Sequence, residues 1–249
     1  MMMKKKEFVF AGAPYSNQAP LMEKLKEVAP GSEVIFDHPS NLVRGLLSGS
    51  VDAAVIPVAH LFAHSDLTMI KGLGIAAEGP VRSVLLKCNK PMGQIKTIGR
   101  DPASATSNAL AELLMTRYFK QKIEMYDFQT LEKRDASVVI GDRALCADPA
   151  TAGDIDLAEA WLKWTKLPFV FAVWAVRKDF EHIEAIAEIA HAAYAAGFLG
   201  MECIAERYAE QLGGSQEFWV DYLDNSIHYK LDRRDMEGLD RFRTLLAEQ

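Results

Sequence analysis

The amino-acid sequence predicts an α/β protein of two lobes, with mixed, mostly parallel sheets flanked by helices and a ligand cleft between the lobes. Three observations carry this expectation. Short apolar runs alternate with helical patterns along most of the chain, as strands and helices do in layered α/β folds. Neither a low-complexity linker nor an internal repeat separates its halves, which points to lobes joined by crossing strands rather than by a tether. The chain has 249 residues, enough for two modest units that bury a core without staples.

Along the chain, residues 8–11 read as a first strand and 21–28 as a helix entered through Pro20. Residues 33–36 form a second strand. Ser40 is a candidate N-cap for a short helix that carries Leu42, Val43, Leu46 and Leu47 on one face. Residues 51–56 form a third strand, closed by Pro57, and 81–87 another. Past Pro91 the pattern restarts: a short strand at 96–99, a helix from Ser104 to about Phe119, and strands at 122–126 and 136–140. A helix at 157–164 precedes a long apolar strand, 169–176. The rest is helical: 183–196, then 202–212 stopped by Gly213 and Gly214, then a helix opened by Ser215. Residues 227–231 alternate as an extended segment does, and Asp232 caps a last amphipathic helix with Met236, Leu239, Phe242 and Leu246 inward. On this reading strands near 85–91 and 173–177 cross between lobes, so that residues 1–88 with 176–249 form one lobe and 89–175 the other.

Composition narrows the function. The net charge of −6 argues against a nucleic-acid partner, which needs clustered Lys and Arg. Lys4, Lys5 and Lys6 read as a solvated tail. The apolar stretch 8–13 is too short for the core of a signal peptide, and no stretch approaches a membrane span, so a soluble cytoplasmic protein is expected. Cys88, Cys146 and Cys203 lie far apart and read as reduced, mostly buried thiols. No phosphate-loop, dinucleotide, HExxH, GxSxG or CxxC pattern is present, and the six histidines are scattered, so neither a metal nor an organic cofactor is expected.

What remains are small polar residues where strands end, the place at which open α/β sheets collect ligands. Residues 15–18, 78–83, 104–107 and 140–142 fit. Ser104, Thr106 and Ser107 set hydroxyls and free N–H groups at a helix start, suited to a carboxylate and equally to an ordinary N-cap. Asn17 reads as a turn residue or a ligand contact, Ser83 as a strand residue or a polar contact, and Gly141 with Asp142 as a turn or part of a site.

The stretch DLAEAWLKWTKLPFVFAVW (156–174) resembles a signature of the menaquinone-biosynthesis family that includes chorismate dehydratase. Matching segments follow in the expected order: SNQAPL (16–21), LSGSVDAAVIP (47–57), GPVRSV (79–84), DPASATS (101–107), IGDRAL (140–145), IHY (227–229) and Gly238, Leu239 and Phe242. The resemblance implies a type 2 periplasmic-binding-protein-like fold and removal of water from chorismate to give 3-[(1-carboxyvinyl)oxy]benzoate. It implies Asn17 and Ser83 as catalytic residues. It implies Ser16, Gly79, Ser104, Thr106, Ser107, Gly141 and Asp142 as substrate-binding residues. The base is assigned to no protein residue, and the enolpyruvyl carboxylate of the substrate is a candidate for it. The chain departs from the family at Gln18 and Ala19, where Thr and Lys are usual, at Ala105 for Arg, and at Lys166 for Gly. Two alternatives stand beside the dehydratase: a cytoplasmic binding protein, and a diverged enzyme for another small cyclic or aromatic carboxylic acid. The helical C-terminal third offers a surface for a homodimer.

Overall fold

The structure, a computed structural model, describes residues 7–127, 134–146 and 153–249; Lys4, Lys5 and Lys6 lie outside them. The first part of the chain contributes β1 (Val9–Gly12), α1 (Ala19–Met22), α2 (Leu25–Val28), β2 (Glu33–Phe36), α3 (Pro39–Ser48), β3 (Ala53–Pro57), α4 (Val58–Ala63) and β4 (Leu67–Ala77). The middle contributes β5 (Val84–Cys88), β6 (Thr97–Gly99), α5 (Ala105–Leu113), β7 (Glu124–Tyr126), β8 (Ala136–Ile140), α6 (Asp142–Leu145), β9 (Ile155–Asp156) and α7 (Leu157–Thr165). The last part contributes β10 (Phe169–Arg177), α8 (Ile183–Leu199), α9 (Met201–Leu212), α10 (Gln216–Val220), β11 (His228–Lys230) and α11 (Arg233–Ala247).

These strands form two sheets, one ordered β11-β4-β10-β3-β1-β2 and the other β7-β6-β8-β5-β9. The chain therefore changes sheet between Ala77 and Val84 and again between Asp156 and Phe169. Both changes precede the strands expected to cross, because β5 lies wholly in the smaller sheet and β10 wholly in the larger. The sheets are mixed rather than mostly parallel. Among the described residues the ladders β1–β2, β1–β3, β6–β7 and β6–β8 are parallel, and the other five are antiparallel. The antiparallel pairs are made by strands that lead into and out of the crossovers.

Local chemistry explains most element boundaries. β10 is buried along almost its whole length, as a central strand covered on both faces must be, and its sequence is accordingly a continuous apolar run. α7 begins where the Asp156 carboxylate accepts the N–H groups of Ala158 and Glu159. α11 begins with a capping box between Asp232 and Asp235. α3 is capped by His38, whose ring accepts from the Ser40 N–H, with Pro39 at the first helical position, so Ser40 sits inside the helix rather than at its cap. The helix expected at 21–28 is broken at Glu23 and Lys24 into α1 and α2. The one expected to reach Phe119 widens partway: α5 ends at Leu113 and a π-helical turn covers Leu114–Tyr118.

The core lies between the sheets' helix layers. Trp161 packs edge-on against Phe169 at 5.3 Å and Phe169 against Phe242 at 4.9 Å, joining α7, β10 and α11. The Trp161 indole N–H is satisfied by the Pro168 carbonyl at 3.0 Å. Each such ring, fully buried, stabilises the fold by about 2–3 kcal/mol. α8 meets α1 closely because Gly197 has no side chain: a Cβ there would lie 2.2 Å from the Pro20 carbonyl oxygen.

Candidate functional site

A cavity opens where the two sheets face each other, with about 600 Å³ of empty volume counted out to its mouth. The larger sheet supplies Asn17, Ile75 and Phe171, and the smaller one supplies Ser83, Ser107 and Gly141. Asn17 is brought there by a tight turn, Ser16–Gln18, directly after β1. Gln18 holds that turn, its side-chain oxygen accepting from the Ala13 N–H at 2.9 Å. The side chain that departs from the family pattern is thus occupied by its own loop, although it also borders the cavity. Ser83 ends the first crossover and is buried. Gly141 has φ 63° and ψ −147°, a conformation reserved to glycine, and a Cβ there would lie 2.9 Å from the Tyr15 ring.

Two polar atoms in this wall lack partners. Neither Asn17 Oδ1 nor Ser83 Oγ makes a hydrogen bond of ordinary geometry with a described protein group, and both are buried. Native interiors rarely leave such atoms unpaired unless a ligand or function claims them. Behind them lies the fully buried Tyr222, whose hydroxyl likewise makes no hydrogen bond of ordinary geometry. Burial pushes its phenol far above the ordinary value, while the nearby Ser83 and Asn17 side chains pull part of the way back. Nothing in the run FWVDYL marks Tyr222 as other than a packing residue; only the fold brings it to Asn17 and Ser83.

At the start of α5, Ser104 Oγ accepts from the Ser107 N–H at 3.1 Å and donates to Ser107 Oγ at 2.8 Å. Both serines border the cavity, and Ser107 keeps its own hydroxyl proton. Helix start and N-cap coincide here: the cap consumes one amide and leaves a donor facing the cleft.

The other expected site residues lie off the cavity wall. Ser16 donates through its N–H and its hydroxyl to the Asp142 carboxylate. Thr106 Oγ1 accepts the Ala59 N–H at 3.1 Å, so it links α5 to α4. Gly79 sits in the first crossover with φ 139° and nothing within 4 Å of its missing side chain. Asp142 is held above the usual carboxylate range by burial, with the Ser16 bonds opposing the shift. The Tyr15 phenol is raised too, first by burial and then by Asp101, against the nearby Arg143. Among the described residues that line the cavity, none is Asp, Glu, His, Lys or Arg.

This architecture is shared widely. A protein of Archaeoglobus fulgidus superposes with a TM-score of 0.75 at 15% identity, covering 97% of each chain. The periplasmic aliphatic sulphonate binding protein of Escherichia coli superposes at 0.65 with 16% identity, covering 98% of this chain and 88% of that one. The fold is therefore that of the periplasmic binding proteins. In sequence, the chain is 30% identical to a chorismate dehydratase of Thermus thermophilus, over 94% of this chain and 93% of the relative. It is 29% identical to a chorismate dehydratase of Campylobacter jejuni, over 94% and 95%. A family model described as menaquinone biosynthesis matches residues 10–248. Matched along nearly its whole length in this way, the chain belongs to the menaquinone biosynthesis family.

Proposed function

We propose that the protein is a dehydratase that converts chorismate to 3-[(1-carboxyvinyl)oxy]benzoate and water. The observation that carries this reading is the chemistry of the cavity wall. Two neutral side chains with buried, unpaired oxygen atoms, Asn17 and Ser83, converge on a space without any ionised side chain among the described residues. Two relatives that bear the dehydratase name across nearly the same length support it.

The reaction suits such a wall. The ring loses a C–H proton and the neighbouring hydroxyl and becomes aromatic, so the thermodynamic drive lies in the substrate and the protein must chiefly position and polarise. Ser83 Oγ donates to the departing hydroxyl, whose negative charge grows as its C–O bond breaks, and Asn17 Oδ1 orients that hydroxyl by accepting its proton. One well-aimed donor of this kind lowers a barrier by ~3 kcal/mol. A substrate carboxylate docks at the α5 N-terminus, where Ser107 offers its hydroxyl and the helix start its positive end. With no carboxylate or imidazole in the described wall, the ring proton passes to a carboxylate of the substrate itself. The C–O electron pair leaves with the hydroxyl, and the net loss is one water.

The test is incubation of purified protein with chorismate, followed by chromatography with mass detection. The expected result is loss of one water and an aromatic ultraviolet spectrum, with turnover ~100-fold slower in Asn17→Ala. Chorismate left intact, while still raising the melting temperature, would overturn the reading in favour of a binding protein.

A further inference from the structure

Tyr222 is built into the molecule in an unusual way. It lies in a π-helical turn, Asp221–Ser226, directly after α10; π turns re-aim side chains and concentrate at functional sites. That turn is fastened to the first crossover by Arg82, the residue before Ser83. Arg82 holds a left-handed φ of 63°, a strained state for a residue with a side chain. Its N–H donates to Asp156 Oδ2 at 2.7 Å. Its guanidinium pairs with Asp221 at 2.8 Å and lies over the rings of Phe218 at 5.3 Å and Tyr222 at 5.9 Å. The Tyr222 hydroxyl lies beside the Ser83 and Asn17 side chains. The oxygen atoms Asn17 Oδ1, Ser83 Oγ and Tyr222 OH are buried and without a hydrogen bond of ordinary geometry.

We propose that Tyr222 is a positioning residue for the Asn17–Ser83 pair, its hydroxyl ordering both side chains from behind so that the Ser83 hydroxyl and the Asn17 amide face the ligand. This inference rests on the dehydratase reading of the same site. Tyr222 does not border the cavity, so it acts through the pair and not on substrate. Burial keeps its phenol protonated across the working pH range, against the pull of Ser83 and Asn17. The hydroxyl is therefore a constant donor and acceptor. A serine hydroxyl rotates freely and an amide can flip; a fixed partner behind them removes those alternatives before substrate arrives, which is preorganisation.

The experiment compares wild type, Tyr222→Phe, Ser83→Ala, Asn17→Ala and the two double variants that add Tyr222→Phe to each alanine change. Dehydration kinetics and thermal melting are measured on all. Tyr222→Phe is expected to lower kcat ~10–100-fold with KM nearly unchanged. Its melting temperature should change little, because the hydroxyl removed makes no hydrogen bond of ordinary geometry. In at least one alanine background Tyr222→Phe should cost less than it does in wild type, the signature of action through a shared partner. Wild-type kcat in Tyr222→Phe, or losses that multiply fully in both backgrounds, overturns the assignment. A wild-type protein inactive on chorismate overturns the dehydratase reading and this inference together, whereas active wild type with an unaffected Tyr222→Phe overturns this inference alone.

Discussion

Ser16 donates both its backbone N–H and its hydroxyl to the carboxylate of Asp142, 126 residues further along the chain. Ser16 follows β1 of the larger sheet and Asp142 follows β8 of the smaller, so these two bonds tie one side of the cleft to the other. Beside them the Tyr15 ring rests on Gly141, and the Ala59 N–H is held by Thr106. The polar residues expected to meet substrate thus divide into two sets: one borders the cavity, and the other holds its two walls together.

The Ser16–Asp142 tie predicts a pH signature. Burial, opposed by the Ser16 bonds, holds the Asp142 carboxyl above its ordinary value. A folded-state value above the unfolded one means that the stability it contributes is fully present below the ordinary carboxylate range. That contribution is then lost as pH rises through the raised value. Asp142→Asn keeps an acceptor for Ser16 and cannot titrate. The melting-temperature advantage of wild type over this variant should shrink as pH rises from the ordinary carboxylate range. Asp101 and Asp156 are raised in the same direction and are present in both proteins, so they cancel. A gap that is flat or widens with pH would sink the claim.

Thr106→Val preserves shape and removes the acceptor of the Ala59 N–H. The orphaned amide should cost ~1–2 kcal/mol, read as a lower denaturant midpoint with an unchanged slope. A variant as stable as wild type would show that the contact between α4 and α5 needs no hydrogen bond.

Gly141→Ala is expected to be damaging twice over. The backbone conformation there excludes a side chain, and the new methyl would drive the Tyr15 ring out of the cavity wall. The strain amounts to roughly 2 kcal/mol. Both a lower melting temperature and weaker saturation by chorismate should follow. A normal KM in the folded variant would mean that Tyr15 does not shape the substrate's space.

Lys166 closes α7 in the left-handed conformation, with φ 63° and ψ 19°, at a position where the family pattern has glycine. Lys166→Gly should therefore stabilise the protein by about 1 kcal/mol. The carbonyl that accepts from Arg234 at 2.9 Å belongs to the backbone and survives the change. Thermal melting decides it; an unchanged or lower midpoint would show that the lysine side chain contributes as much as the strain costs.

Much of the fold was legible because its signals are local. The runs at β1, β2, β8 and β10 and the caps at Ser104, Ser215 and Asp232 can be read within a few residues. β4 and α4 were not legible. β4 carries Lys71, Gly72 and Gly74, which break both the apolar run and any clean alternation. It is a strand because β10 and β11 pair on either side of it, with the β10 ladder slipping register twice. Tertiary pairing there overrides a weak local preference.

The α/β class, the order of most elements, and the four strand-end segments that carry Asn17, Ser83, Ser104, Ser107 and Gly141 are written in local sequence. These rest on periodicity and capping, which neighbouring residues decide among themselves. Which polar groups on those segments face the cavity, and which face each other, is settled only when the two sheets come together. Thr106 and Ala59 lie 47 residues apart, and Ser16 and Asp142 lie 126 apart; Tyr222 comes to Ser83 and Asn17 from near the far end of the chain. A hydroxyl or carboxylate takes whichever partner the packed chain brings within about 3 Å, and that distance is a property of the assembled sheets rather than of any segment.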